Sequence, residues 1–123
     1  MVDVETCRQV ALSFPETTEQ PHFEKISFRV GKKIFTTLDT KNHQVCIKLS
    51  EIDQDLFSVF DKTAVFPVPN KWGKQGWTLI NLKKIKKEML KDAITCAYCG
   101  VAPKSIAAKY LPPMTVFNFR SEN

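Results

Sequence analysis

Residues 25–49, KISFRVGKKIFTTLDTKNHQVCIKL, decide the fold. Ile26, Phe28 and Val30 alternate with Lys25, Ser27 and Arg29, the period-two pattern of a strand with one face in a core. Gly31-Lys32 supplies a two-residue hairpin turn, because glycine takes positive φ at the first turn position without a steric penalty. A second strand is predicted over about residues 33–38, and Asp39-Thr40-Lys41-Asn42-His43 is a run of turn formers. In a third strand Val45, Ile47 and Leu49 share one face, and Cys46 and Lys48 the other. Strands joined by such short turns are antiparallel, since a parallel neighbour needs a long crossover.

Before this meander the pattern is helical. Val4, Cys7, Ala11 and Phe14, with Val10 beside them, make one stripe over residues 4–14; Asp3 caps it and Pro15 stops it. Residues 15–24 (PETTEQPHFE) read as a polar loop. After the meander, Ser50-Glu51-Ile52-Asp53 fits a capping box that opens a helix over residues 51–61, expected to bury Ile52, Leu56, Val59 and Phe60. Residues 63–68 form a fourth strand, placed near an edge because Pro67 and Pro69 donate no ladder hydrogen bond. Residues 70–76 (NKWGKQG) are a glycine-bounded turn, and residues 77–82 a fifth strand. A last clear helix begins near Asn81, carries Ile85, Met89, Ala93 and Cys96 on its apolar stripe, and ends at Gly100. Pro103 opens a short helical stretch that Pro112-Pro113 ends, and Val116, Phe117 and Phe119 are expected to dock on the domain or add a short strand. The predicted order is α-β-β-β-α-β-β-α: an α+β domain with an antiparallel sheet of five to six strands and helices on one face. Residues 1–100 make the domain, and 101–123 an extension packed on it or trailing from it.

A chain of 123 residues has room for one core. Its apolar runs are too short to span a bilayer, and Met1-Val2-Asp3-Val4-Glu5 lacks the basic start of a secretory signal. A cytoplasmic monomer with reduced thiols is expected. Cys7 and Cys46 sit at apolar positions that suit small core residues. Charge is uneven. Residues 1–60 carry 7 Lys/Arg and 9 Asp/Glu, residues 61–123 carry 11 and 4, and the net is +5. Such asymmetry fits a polyanion-facing surface, and equally a lysine-rich solvated face.

Catalytic and metal patterns are weak. His22 and His43 lie in predicted loops, and no nucleophile elbow, zinc-protease motif or phosphate loop occurs. Asp39, Asp53 and Asp55 flank turns or a helix start, where acids serve as caps. Cys96-Ala97-Tyr98-Cys99 has metal or redox spacing, but a structural zinc needs a second ligand pair and a redox pair belongs at a helix start. Here Cys96 reads as core and Cys99 as near a helix end. No catalytic residue, metal or cofactor is expected.

Three lysine patches carry a nucleic-acid reading. They are the turn with Lys71, Trp72 and Lys74; the hairpin tip at Lys32 and Lys33, with Lys41 and His43 on the neighbouring turn; and a helix face with Lys84, Lys87 and Lys91. Lysine meets phosphate as a point charge and reads no base, so DNA binding through these patches is expected to be weak and salt-sensitive.

A series of short segments ties the chain to known proteins: residues 8–14 (RQVALSF), Pro21-His22-Phe23, residues 28–35 (FRVGKKIF), 46–49 (CIKL) and 76–80 (GWTLI). In order and spacing this series resembles the MmcQ/YjbR family of small bacterial proteins, over roughly the first three quarters of the chain. The resemblance implies a compact α+β fold grouped with frataxin-like domains, whose hairpins have been compared with the double wing of a phage transcription factor, and a role as a DNA-binding protein. The acidic ridge with which frataxins hold iron is missing, because the first helix offers only Asp3 and Glu5 and the following strand carries Lys25 and Arg29. Lys48 and Trp77 match family positions. With His22 and Phe23 they are expected to line a groove on the open side of the sheet, where an aromatic and a lysine suit a stacked base, an anionic ligand or a protein partner.

Overall fold

The structure, a computed structural model, describes residues 1–110. Helix α1 (Val4–Leu12) is followed by strands β1 (Thr17–His22), β2 (Lys25–Val30), β3 (Lys33–Asp39) and β4 (Gln44–Lys48). Helix α2 (Glu51–Phe60), strand β5 (Val65–Pro67), the single turn α3 (Lys71–Lys74), strand β6 (Trp77–Asn81), helix α4 (Lys87–Val101) and the short α5 (Lys104–Ala107) complete it. The strands form one antiparallel sheet in the order β1-β2-β3-β4-β6-β5.

The meander over residues 25–49 folds as its alternation requires, with Gly31 at φ +63° in the first turn. One irregularity matters. Phe28 pairs with Thr36 and Arg29 with Ile34, so Phe35 is an extra residue, a bulge. The bulge turns both Phe35 and Thr36 into the core and sends Ile34 to the other face, breaking the simple period. Phe28, Phe35, Leu38, Val45, Ile47 and Ile80 are fully buried under α4, which contributes Leu90, Ile94 and Tyr98. At about 1.5–3 kcal/mol for each large side chain, this layer dominates the stabilisation. Tyr98 stacks on Phe14 at 4.6 Å between ring centroids and donates its hydroxyl to the Pro15 carbonyl at 2.7 Å, which ties α4 to the end of α1.

Four local expectations are corrected. Residues 17–22, read as loop, are the edge strand β1; its side chains are mostly exposed on both faces, so no alternation marks it. Residues 70–76 contain a helical turn. The last helix starts at Lys87, not near Asn81: Asn81 ends β6, its side chain accepts from Lys83 N at 3.0 Å, and Lys86 is extended at ψ 144°. That helix also runs past Gly100 to Val101, ending at Ala102, which precedes Pro103 and is extended at ψ 154°.

Helix α2 is capped as expected, with Ser50 Oγ accepting from Asp53 N at 3.1 Å. Its buried face is different. Phe57 and Gln54 point inward, while Ile52 and Val59 are 65% and 70% exposed, Leu56 is half-buried and Phe60 is 50% exposed. The inner face packs beside β5, with Phe57 in the core and Gln54 reaching α3 through its side-chain amide. Cys7 is core, but Cys46 is half-buried on the opposite face of the sheet. Residues 111–123, including Pro112-Pro113, Val116, Phe117 and Phe119, lie outside the described residues.

Candidate functional site

Among the described residues the helices cover one face of the sheet, and strand alternation decides what the other face shows. Across it run Lys25 from β2, Ile34 and Thr37 from β3, Cys46 from β4, and Trp77 and Leu79 from β6. His22 ends β1 opposite Lys25. Val68 and Trp72 close the far side, and together these residues line a depression of about 440 Å³. That size holds one small ligand. Its floor is apolar, its β1–β2 side is polar and basic, and its β5–α3 side is aromatic.

The aromatic side is rigidly held. Asn70 Oδ1 accepts from Trp72 N at 2.8 Å and sets the α3 turn. A Cβ on Gly73 would lie 2.0 Å from the Val68 carbonyl oxygen, so only glycine lets the turn pack there. Gly76 has φ +104°, and a Cβ on it would lie 2.0 Å from the Leu49 carbonyl oxygen. From beneath, the buried Gln54 donates its side-chain amide towards Gly73 O at 2.9 Å, Thr78 Oγ1 at 3.1 Å and Trp77 O at 3.2 Å. One amide thus fixes the segments bearing both tryptophans. Trp72 remains 50% exposed, and the Lys48 ammonium stands 5.7 Å from the centroid of the Trp77 ring, within cation–π range.

His22 and Phe23 meet edge to face at 4.9 Å. Phe23 is not part of the lining: it stands at the β1–β2 hairpin tip, 94% exposed, with φ +59°. A bulky residue in the left-handed region is strained, and full exposure adds no packing to offset that. Burial pushes the Cys46 thiol up to about 11, so it is neutral on the floor of the depression. Hydrogen bonds from Asn42 hold the Asp39 carboxyl below its ordinary range, with Lys25 contributing.

The lysines fall in two groups, because successive antiparallel strands return to opposite ends of the sheet. Lys32 and Lys33 at the start of β3, Lys48 at the end of β4, and Lys71 and Lys74 before β6 share one end with Trp72 and Trp77. Lys41 and His43 in the β3–β4 turn, and Lys84 and Lys87 after β6, lie at the other, where Leu82 N donates to the His43 carbonyl. Lys91 follows one turn along α4. A five-residue strand separates the ends by about 17 Å. The thirteen residues singled out in the sequence thus do not converge on one footprint. His22 and Trp77 share the depression, Lys48 joins it through Trp77, and Trp72 enters it as well.

Lys25, Ile34, Thr37, Val68 and Leu79 were not anticipated. Ile34 and Thr37 were hidden by the bulge; Val68 and Leu79 needed the strand order, which no local pattern gives. The CxxC lies in the last turns of α4. None of the four cysteines is in a disulfide, and Cys99 Sγ approaches the Ala107 carbonyl at 3.8 Å. Among the described residues no three His, Cys, Asp or Glu side chains gather to hold a metal, and no helix is long and apolar enough to cross a membrane.

Sheet and depression together define a small α+β domain with one helix-covered face and one open face. The chain belongs to the YjbR family, whose model matches residues 12–99. In fold it is similar to the crystal structure of Deinococcus radiodurans protein DR2400, a DUF419 domain, at a TM-score of 0.73 and 18% identity, covering 92% of this chain and 91% of that one. No curated protein matches it.

Proposed function

We propose that this chain is a non-catalytic binding protein whose open sheet face takes an anionic ligand with a flat ring, the nucleotide unit of single-stranded DNA being the chemical type. The supporting observation is the union, at one end of the sheet, of Trp72 and Trp77 on a single depression with Lys48 against the Trp77 ring. A base has a face to stack, worth about 1–3 kcal/mol on an aromatic side chain, and its phosphate needs a nearby cation. Lys48, with Lys71 and Lys74 on the adjoining turn, supplies that charge. The lysines at the far end, Lys41, Lys84 and Lys87, belong to no part of this footprint. Burial keeps the Cys46 thiol on the floor of the depression protonated, so the floor presents a neutral surface to the ligand. The protein is taken to act as a cytoplasmic monomer.

Tryptophan fluorescence tests this directly. Titration with oligo(dT) at low salt is expected to quench the emission. Affinity should fall with salt with a log–log slope of about −0.7 for each phosphate contacted. Trp72→Ala and Trp77→Ala should each weaken binding by about 5- to 100-fold. An affinity unchanged between 50 and 200 mM salt, at about the range where phosphate contacts respond, would remove the proposal.

A further inference from the structure

We infer that the site continues over the end of the sheet into a second cleft, so that the ligand is an oligonucleotide of at least two units; this rests on the open-face reading above. On the helix side of the same sheet end lies a cleft of about 650 Å³, bordered by Lys33, Lys48, Ser50, Asp53 and the Gly100 turn of α4. It shares Ile34 and Trp77 with the depression on the open face. Those two shared side chains form a ridge between the spaces, and Lys48 stands beside it on the border of the second cleft.

Charge on that ridge is placed for a linking phosphate. Lys48 is the last residue of β4 and Lys33 the first of β3, on neighbouring strands; the ladder between them stops at Thr36 and Ile47, and both lysines lie past it at this sheet end. Neither lysine makes an ion pair among the described residues. Trp77 holds the Lys48 ammonium at the crest, 5.7 Å from its ring centroid. Lys33 and Lys48 both border the second cleft where it meets the ridge, so the anion belongs there and a sugar and base beyond it. The cleft's volume of about 650 Å³ accommodates them, and Gly100 adds no side chain to its border. A strand therefore lays one base against Trp72 and Trp77, crosses the sheet end with its phosphate between Lys33 and Lys48, and puts the next unit beside α4.

The full chain is titrated with thymidine 5′-monophosphate and with the dinucleotide pTpT at low salt, followed by tryptophan fluorescence. The dinucleotide is expected to bind at least about tenfold tighter, the size of one added charge-assisted contact. Lys33→Ala should remove most of that gain. Gly100→Phe, which fills the second cleft from an exposed helical position, should abolish it while leaving the monophosphate affinity unchanged. Equal affinities in the unmodified protein, or a gain that survives both variants, overturns the second cleft and leaves the open-face site standing. Quenching by neither ligand overturns the open-face site and this extension with it.

Discussion

Gln54 shows how much one side chain can organise. Its amide is buried and faces three acceptors on the segments that carry Trp72 and Trp77. Gln54→Leu keeps the volume but removes the shared donor, leaving Gly73 O and Trp77 O only their backbone bonds from Gly76 N and Val68 N. It should cost about 0.5–1.5 kcal/mol in urea unfolding, and Trp72 should become more mobile, seen as lower fluorescence anisotropy. Gly76→Ala should cost about 3 kcal/mol or more, since it adds a positive-φ penalty to a 2.0 Å clash with the Leu49 carbonyl. The thiols give a pH dependence. Burial pushes Cys7 up to about 12 and Cys46 up to about 11 in the folded chain, against about 8.5 when unfolded. Above that unfolded value the unfolded state sheds protons first, so stability falls as pH rises towards the folded values. Thermal unfolding between pH 8 and 10.5, a window of about two units above the ordinary thiol range, should show a decline that Cys7→Ala with Cys46→Ala flattens.

Among the elements, α2 is the one whose orientation the sequence misstates. Its most apolar stripe faces out, and a less apolar face, Phe57 with Gln54, faces in. Phe57→Ala should cost about 3–5 kcal/mol, whereas Ile52→Ala should stay within about 0.5 kcal/mol; chemical denaturation of both variants decides between the two orientations. The meander was legible because buried and exposed positions alternate along it. Strand β1 was not, because Thr17 to His22 is mostly exposed on both sides and bears Pro21. It is a strand only because β2 lies beside it. For the same reason His22 and Trp77 could be named together from the family series, while Ile34, Val68 and Leu79 joined them only once the strand order was known. Trp72 was assigned to a separate turn because nothing local says that Val68 and Gly73 are in contact.

For the whole molecule, the division of lysines is the testable property. At about 0.1 M salt, replacing Lys71 and Lys74 by Glu should abolish oligo(dT) binding, and replacing Lys84 and Lys87 by Glu should weaken it less than about threefold, as expected for charges beyond a Debye length of about 10 Å. Equal losses in the two pairs, read by fluorescence titration, would mean that the far end belongs to the footprint.

The hydroxyl of Tyr98 reaches back 83 residues to Pro15, and the backbone N–H of Val2 reaches Leu82. Helix α1 precedes the sheet and rests on β1 and β3, yet the rest of the surface that holds it, on α4, is made much later. The hairpins can pair as they appear, but α1 cannot complete its docking until α4 has been made. Docking of α4 against α1 is therefore a late step of assembly, and a cut anywhere between the two helices would part a contact that spans most of the sheet.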